Sequence, residues 1–206
     1  DSLQESGSSG IHLTVSKNKR RSTVSSNDFR AETLAPLIRS TMEALPYMGA
    51  DEYYSLPNPE LQGRAPGELE FLDPDYDKLS SEDKVQIPLD LEEMSLDADQ
   101  RLKTEQSFYS DSISYMVHAD SNGFLEGETK TIYSMGISMI ADDLESTSNG
   151  TSESTNVGRK QTDGWYSAAR FHRNLTPSKE IVEKACQRTL RKLGAVKPAS
   201  QEVPVV

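Results

Sequence analysis

The chain has 206 residues, 34 % apolar and 27 % charged, with a net charge of −11. That length fits one full domain plus part of a second. The acidity argues against nucleic acid as a direct partner, because phosphate contacts need clustered cations. No run approaches the roughly 18 apolar residues of a membrane-spanning helix, so no membrane association is expected. The opening DSLQESGSSG has neither an initiating Met nor a basic and apolar leader, so the first residue is expected not to be the natural start. A single cysteine, Cys186, excludes an internal disulfide and gives no support for an extracellular fold. Asn149-Gly150-Thr151 is then a chance match to a glycosylation acceptor.

Residues 11–16 (IHLTVS) alternate apolar and polar, as does the stretch up to Ser25, with Lys17-Asn18-Lys19 between them as a turn. A two-stranded hairpin is marginal alone, so pairing with strands encoded upstream is expected. The basic knot Lys17, Lys19, Arg20 and Arg21 reads as a solvated hairpin tip. A helix follows, with Leu34, Leu37, Ile38, Thr41, Met42 and Leu45 on one face. Thr33 as its N-cap puts Pro36 in the first turn, where a missing N–H costs nothing. Residues 46–79 are rich in Pro and Gly, which marks a linker. Its aromatics Tyr47, Tyr53, Tyr54 and Phe71 imply that it lies against a surface.

A second helix begins near Ser80, with Asp83 completing a cap and a distortion near Pro88. Ile87, Leu91, Met94 and Ala98 form its apolar face. Ile113, Tyr115, Val117 and Ala119 then alternate as a strand, and Asp120-Ser121-Asn122-Gly123 turns the chain. A strand over about 129–141 carries Tyr133, Met135, Ile137, Met139 and Ala141 on one face. A polar, mobile loop is expected over 142–163, and a further strand from Trp165 to Phe171. The last helix has Thr176 as cap, Pro177 at its first position and Gly194 at its end. Ile181, Val182, Ala185, Cys186, Thr189, Leu190 and Leu193 share its buried face. The whole reads as α+β: an antiparallel sheet with helices packed on one face, part of a larger multidomain protein. The expected divisions are 1–48 (partial N-terminal domain, hairpin plus helix), 49–79 (linker), 80–198 (central α+β domain) and 199–206 (start of a linker to a C-terminal domain).

Chemistry-bearing residues do not assemble into a motif. His12, His118 and His172 fall on three different predicted strands without metal-ligand spacing. Asp120, Asp142 and Asp143 lack a calcium-loop pattern. Glu92, Glu93, Asp97 and Asp99 read as the wet side of a helix, and Cys186 as a small hydrophobe on an apolar face. There is no glycine-rich phosphate loop. No catalytic, cofactor-binding or metal residue is assigned.

Four stretches taken in order resemble the PmbA/TldE branch of the TldD/PmbA family. These are STVSSNDF (22–29) leading through a helix to ADEYYSLPNPEL (50–61), then FLDPDYDKLSSED (71–83) with ADQRL (98–102). The hairpin HADSNGFLEGETKTIYSMGISMIADD (118–143) and the segment GWYSAARFHRNLTPSKEIVEKACQRTLRKLGAVKP (164–198) complete the set. The long loop at 142–163 and Pro88 depart from the pattern and suggest a divergent member. The resemblance implies a cytoplasmic subunit of a heterodimeric metallopeptidase acting on unfolded or leader-bearing peptides. It also implies a TldD-like partner that holds the zinc on an H-E-x-x-x-H helix, a motif that this chain lacks. The family's older label, modulator of DNA gyrase, fits the acidity poorly if it means direct DNA contact. The expectation is a non-catalytic scaffold. The alternative is a stand-alone peptide-binding or interaction module with no hydrolytic role, which needs an uncovered strand edge around 129–141 or 164–171. A hydrolase in its own right would need ligands beyond Val206.

Overall fold

The structure is a computed structural model that describes residues 2–63, 69–143, 159–195 and 200–202. Asn149-Gly150-Thr151 and most of the expected 142–163 loop lie outside the described residues. The chain divides into two compact units: residues 1–65 with 118–126, and residues 66–117 with 127–206.

In the first unit, β1 (Ile11–Lys17) and β2 (Arg20–Ser26) pair antiparallel, with Leu13 opposite Val24 and Lys17 opposite Arg20. Asn18 and Lys19 both take positive φ, 53° and 60°, as a two-residue turn matched to strand twist requires. The knot of cations is tied to the following segment. Lys19 Nζ donates to Tyr54 O at 3.3 Å, the Arg20 guanidinium donates to Pro46 O, and Arg21 lies 4.9 Å over the Tyr54 ring.

Helix α1 (Ala31–Ala44) packs on this hairpin. It begins three residues earlier than expected, with Arg30 at the N-cap and Pro36 inside. The reason is Asp28, whose carboxylate accepts from the Arg30 N–H and guanidinium and from the Thr33 hydroxyl at 2.8 Å. The Arg30 contacts hold that carboxyl well below the usual range. Thr33 therefore serves the Asp28 cluster and is not the cap. Leu34, Leu37, Thr41 and Leu45 turn inward, whereas Ile38 and Met42 stay exposed. Of the linker aromatics in this unit, Tyr54 is covered by Arg21, while Tyr47 and Tyr53 are exposed.

The second unit is a three-stranded antiparallel sheet in the order β3-β4-β5: Leu102–Ala119, Leu125–Asp143 and Arg159–Ala169. The turn between β3 and β4 belongs with the first unit. There Asp120 Oδ1 accepts from Asn122 N at 2.8 Å, and Gly123 takes φ 95°. Two strands are longer than their sequence pattern suggests. Residues 102–111 continue β3 upstream, and 159–163 belong to β5 instead of a loop. Both additions lie on edge strands, where a polar sequence is tolerated. Helices α2 (Ser81–Leu96) and α3 (Ser178–Leu190) cover one face of the sheet.

Helix α2 starts on a reciprocal cap: Asp83 N donates to Ser80 Oγ, and Ser80 N to Asp83 Oδ2, each at 3.1 Å. Pro88 lies inside it. The buried line is Ile87, Leu91 and Ser95, while Met94 and Ala98 are exposed. Helix α3 begins at Ser178 with Pro177 at the N-cap, one residue later than expected, and the Thr176 N–H donates to Ser167 Oγ at 3.0 Å. It buries Ile181, Val182, Ala185, Cys186 and Thr189. The first four meet Leu91, Leu102, Met135, Ile137, Met139 and Ala141 in one core. Each large aliphatic side chain buried there contributes roughly 1.5–3 kcal/mol.

Candidate functional site

The residues that could carry chemistry end up in structural roles. Among the described residues, no three of His, Cys, Asp and Glu come together as metal ligands. His12 is exposed on β1, and His118 stands edge-on to Phe124 at 5.6 Å. His172 is not on a strand: it opens a 3-10 turn (His172–Asn174), wedged between Tyr109 and Tyr133 at 6.3 and 5.6 Å. This donor set does not fit a zinc ion. Cys186 is buried with Sγ 3.6 Å from Met139 Sδ, and burial pushes its thiol up, away from the reactive thiolate. Asp120 binds the turn and Gln62 Nε2 at 2.6 Å. Asp143 accepts from Gln161 Nε2 at 3.0 Å and Gly194 N at 2.9 Å, and Asp142 faces solvent. Glu93 and Asp97 are exposed, Glu92 is half-buried, and Asp99 pairs with Arg101 at 2.8 Å.

Sequence reasoning missed the densest polar cluster, in the second unit. Asp111 on β3 accepts from Tyr109 Oη at 2.9 Å and Tyr76 Oη at 3.1 Å, and pairs with Lys84 of α2 at 3.0 Å. Its side chain is 9 % exposed. Burial, with the Asp111 charge added, pushes the Tyr76 hydroxyl up to about 12 and Tyr109 higher still. Tyr133 is 1 % exposed, and its hydroxyl lies near Asp73 without meeting hydrogen-bond geometry. Asp73 accepts from His172 N at 2.9 Å and Asp75 N at 3.0 Å. Burial alone would raise the Asp73 carboxyl, but those two N–H groups reverse the effect and hold it low. Beside it, Asp73, Asp75, Lys78, Leu79, His172 and Arg173 line a small cavity of about 220 Å³. The tyrosines stay neutral and the Asp73 carboxylate stays charged at neutral pH.

A second carboxylate fastens α3 to β5. Asp163 lies 3.1 Å from Arg188 Nε and 2.9 Å from Lys192 Nζ, and accepts from Gly164 N at 2.8 Å. Burial works against its ionisation, but Lys192, the Gly164 N–H and Arg188 outweigh it and bring the carboxyl down from 3.8 to about 2. A depressed folded-state value gives stability that is complete above the unfolded value and is lost as pH falls through the folded one. The native protein is therefore expected to lose about 2 kcal/mol from this group between roughly pH 4 and pH 2. In Asp163→Asn, chemical denaturation across that window should show a correspondingly flatter acid limb.

Beyond this clamp, Trp165, Tyr166, Thr176, Glu180, Glu183, Lys184 and Gln187 line an open cleft of about 680 Å³. Lys184 Nζ sits 3.9 Å above the Trp165 ring and the Arg188 guanidinium 5.2 Å from it, so cations stack on the indole.

The comparisons with known proteins agree with this architecture. Residues 74–193 match the model of the PmbA/TldA metallopeptidase central domain. The metalloprotease PmbA of Escherichia coli is 21 % identical, over 100 % of this chain and 43 % of its own length. A crystal structure from Bacteroides thetaiotaomicron, named for modulation of DNA gyrase, superposes with a TM-score of 0.78. It is 26 % identical and covers 96 % of this chain and 43 % of its own. TldE from Thermococcus kodakarensis shares the fold, with a TM-score of 0.63, 18 % identity, and coverage of 86 % of this chain and 36 % of its own. The chain thus spans under half the length of these relatives. With its central domain matched across β3, β4, β5, α2 and α3, the chain belongs to the PmbA/TldD family of metallopeptidase-related proteins.

Proposed function

We propose that this chain is the N-terminal and central part of a PmbA/TldE-like subunit in a two-subunit metallopeptidase system. It works in the cytoplasm on unfolded or leader-bearing peptides, in their proteolysis or maturation. The zinc belongs to a TldD-like partner, and this subunit builds the assembly and shapes the chamber. The observation that carries this reading is the likeness to metalloprotease PmbA along the whole chain, joined to the central-domain match. The fate of the buried carboxylates supports a scaffold role. Asp73, Asp111, Asp143 and Asp163 are each committed to main-chain N–H groups, cations or hydroxyls that hold elements together. A general base would need a free lone pair within reach of a reacting proton.

The test is hydrolysis of an unfolded peptide by the full-length protein, with and without a TldD-type partner. Hydrolysis is expected only from the pair, and a chelator should abolish it. Full zinc-dependent hydrolysis by this subunit alone would overturn the reading.

A second reading, a stand-alone interaction module, gains from the open edge of β5 and loses from α3 packed over the same strand's face. The 129–141 stretch gives it no support, because β4 lies between β3 and β5. Peptide binding that is indifferent to any partner would favour this reading.

A further inference from the structure

β5 is the sheet's edge, and the two glycines beside it show which of its main-chain groups face outward. A Cβ on Gly136 would meet Trp165 O at 2.9 Å, and one on Gly164 would meet Ile137 O at 2.5 Å. With Ile137 opposite Trp165, those two residues point their carbonyls at each other's strand. In an antiparallel ladder the alternate residues then turn N–H and C=O away. On β5 these are Thr162, Gly164, Tyr166 and Ala168. Thr162 O is met by Lys192 Nζ at 2.8 Å, and Gly164 N by Asp163 Oδ1 at 2.8 Å. Among the described residues, Tyr166 and Ala168 make no main-chain bond outside the ladder.

The open cleft borders this edge at Trp165 and Tyr166. Successive strand side chains point to opposite faces, yet Trp165 and Tyr166 both line it. Its other wall is the exposed row Glu180, Glu183, Lys184 and Gln187 of α3, at the spacing of one helical face. The Lys184 ammonium lies on the Trp165 ring, and the Glu180 and Glu183 carboxylates face the cleft, Glu183 with the exposed Lys179 ammonium 3.9 Å away. Tyr166, 64 % exposed, supplies an aromatic platform. Natural edges are usually blunted by lysine, proline or a covering element; here Lys192 and Asp163 close the Thr162–Gly164 half, and among the described residues the Tyr166–Ala168 half stays open.

We propose that the β5–α3 groove takes up an extended polypeptide as a fourth strand, bonded to Tyr166 and Ala168 and carrying a basic side chain opposite Glu180 and Glu183. This is strand addition beside a helix, and it places a peptide-holding site on this subunit itself. It rests on the proposed peptide-handling role, but it is tested separately from hydrolysis.

The experiment measures fluorescence anisotropy of a short fluorescein-labelled peptide of alternating valine and lysine, titrated with the full-length protein. Saturable binding is expected. The same peptide N-methylated at alternate amides, in the register that removes the bonds to Tyr166 and Ala168, should bind at least about tenfold more weakly. Tyr166→Pro removes an outward donor but keeps the ladder to β4, and should weaken the unmodified peptide alike. The double variant Glu180→Lys with Glu183→Lys should reverse preference toward an alternating valine–glutamate peptide. Should the proline variant fail to fold by circular dichroism, the N-methylated peptide still decides. Equal binding of methylated and unmethylated peptides, or no saturable binding at all, overturns the proposal. Partner-dependent hydrolysis that persists in that case leaves the proposed function standing; groove binding without any hydrolysis does the reverse.

Discussion

Asp111→Ala is expected to destabilise the second unit by about 3 kcal/mol, the scale for removing one partner of a buried ion pair. The substitution strands three donors together: the Lys84 ammonium, 19 % exposed, and the hydroxyls of Tyr76 and Tyr109. Each must then find water or stay unpaired in a site that β3, α2 and the 3-10 turn Tyr76–Lys78 close off. Equilibrium urea denaturation reads the loss as a lower midpoint at unchanged slope. The companion variant is Asp111→Leu combined with Lys84→Met. If the cost comes from the stranded cation, the double variant recovers much of the stability, because well-packed apolar groups replace buried pairs at little cost. Equal losses in single and double variants would instead locate the cost in the two tyrosine hydroxyls.

Gly164→Val is expected to cost at least about 3 kcal/mol, at the upper end of overpacking effects. Even the Cβ alone would stand 2.5 Å from Ile137 O and 3.0 Å from Ser138 Cα, both main-chain atoms of the central strand. Main chain cannot rotate aside as a side chain can, so relief must come from spreading β4 and β5 apart. Gly127→Ala is the control. A Cβ there meets Tyr115 Oη at 3.4 Å and Val117 Cγ2 at 3.5 Å, ordinary contact distances, so thermal melting should move little. Equal shifts in the two variants would contradict the close approach of β4 and β5 at Gly164.

How much of this was legible in the sequence depended on the range of the interaction. The α3 face and the cap of α2 were readable, because Ile181, Val182, Ala185 and Cys186 repeat at helical spacing and Ser80 lies three residues from Asp83. The β4 face was readable for the same reason, since period two survives on a central strand buried on one side. Residues 102–111 and 159–163 hid as strands because their edge positions accept polar side chains. The start of α1 was misjudged because Asp28, outside the helix, organises its first turn. The Asp111 cluster was invisible in principle. Its members sit on three separate elements, and no local pattern records that Tyr76 and Tyr109 will share one carboxylate. The sequence offered two candidate edges, 129–141 and 164–171, and the strand order decided between them.

Thr131 shows when this unit can become native. Its hydroxyl donates to Arg170 O at 2.8 Å while accepting from Asp73 N at 2.9 Å, and its own N–H reaches Phe71 O at 2.9 Å. Asp73 in turn grips His172, 99 positions further along. Contacts of such long sequence separation form only after large loops have closed, which slows folding. On the ribosome, β3 and β4 emerge well before the segment holding Arg170 and His172. Until then, the buried end of β4 lacks both its edge partner and the cover of α3. The nascent unit therefore passes through a stage with Met135, Ile137 and Met139 uncovered, when a chaperone or an already folded partner would matter most.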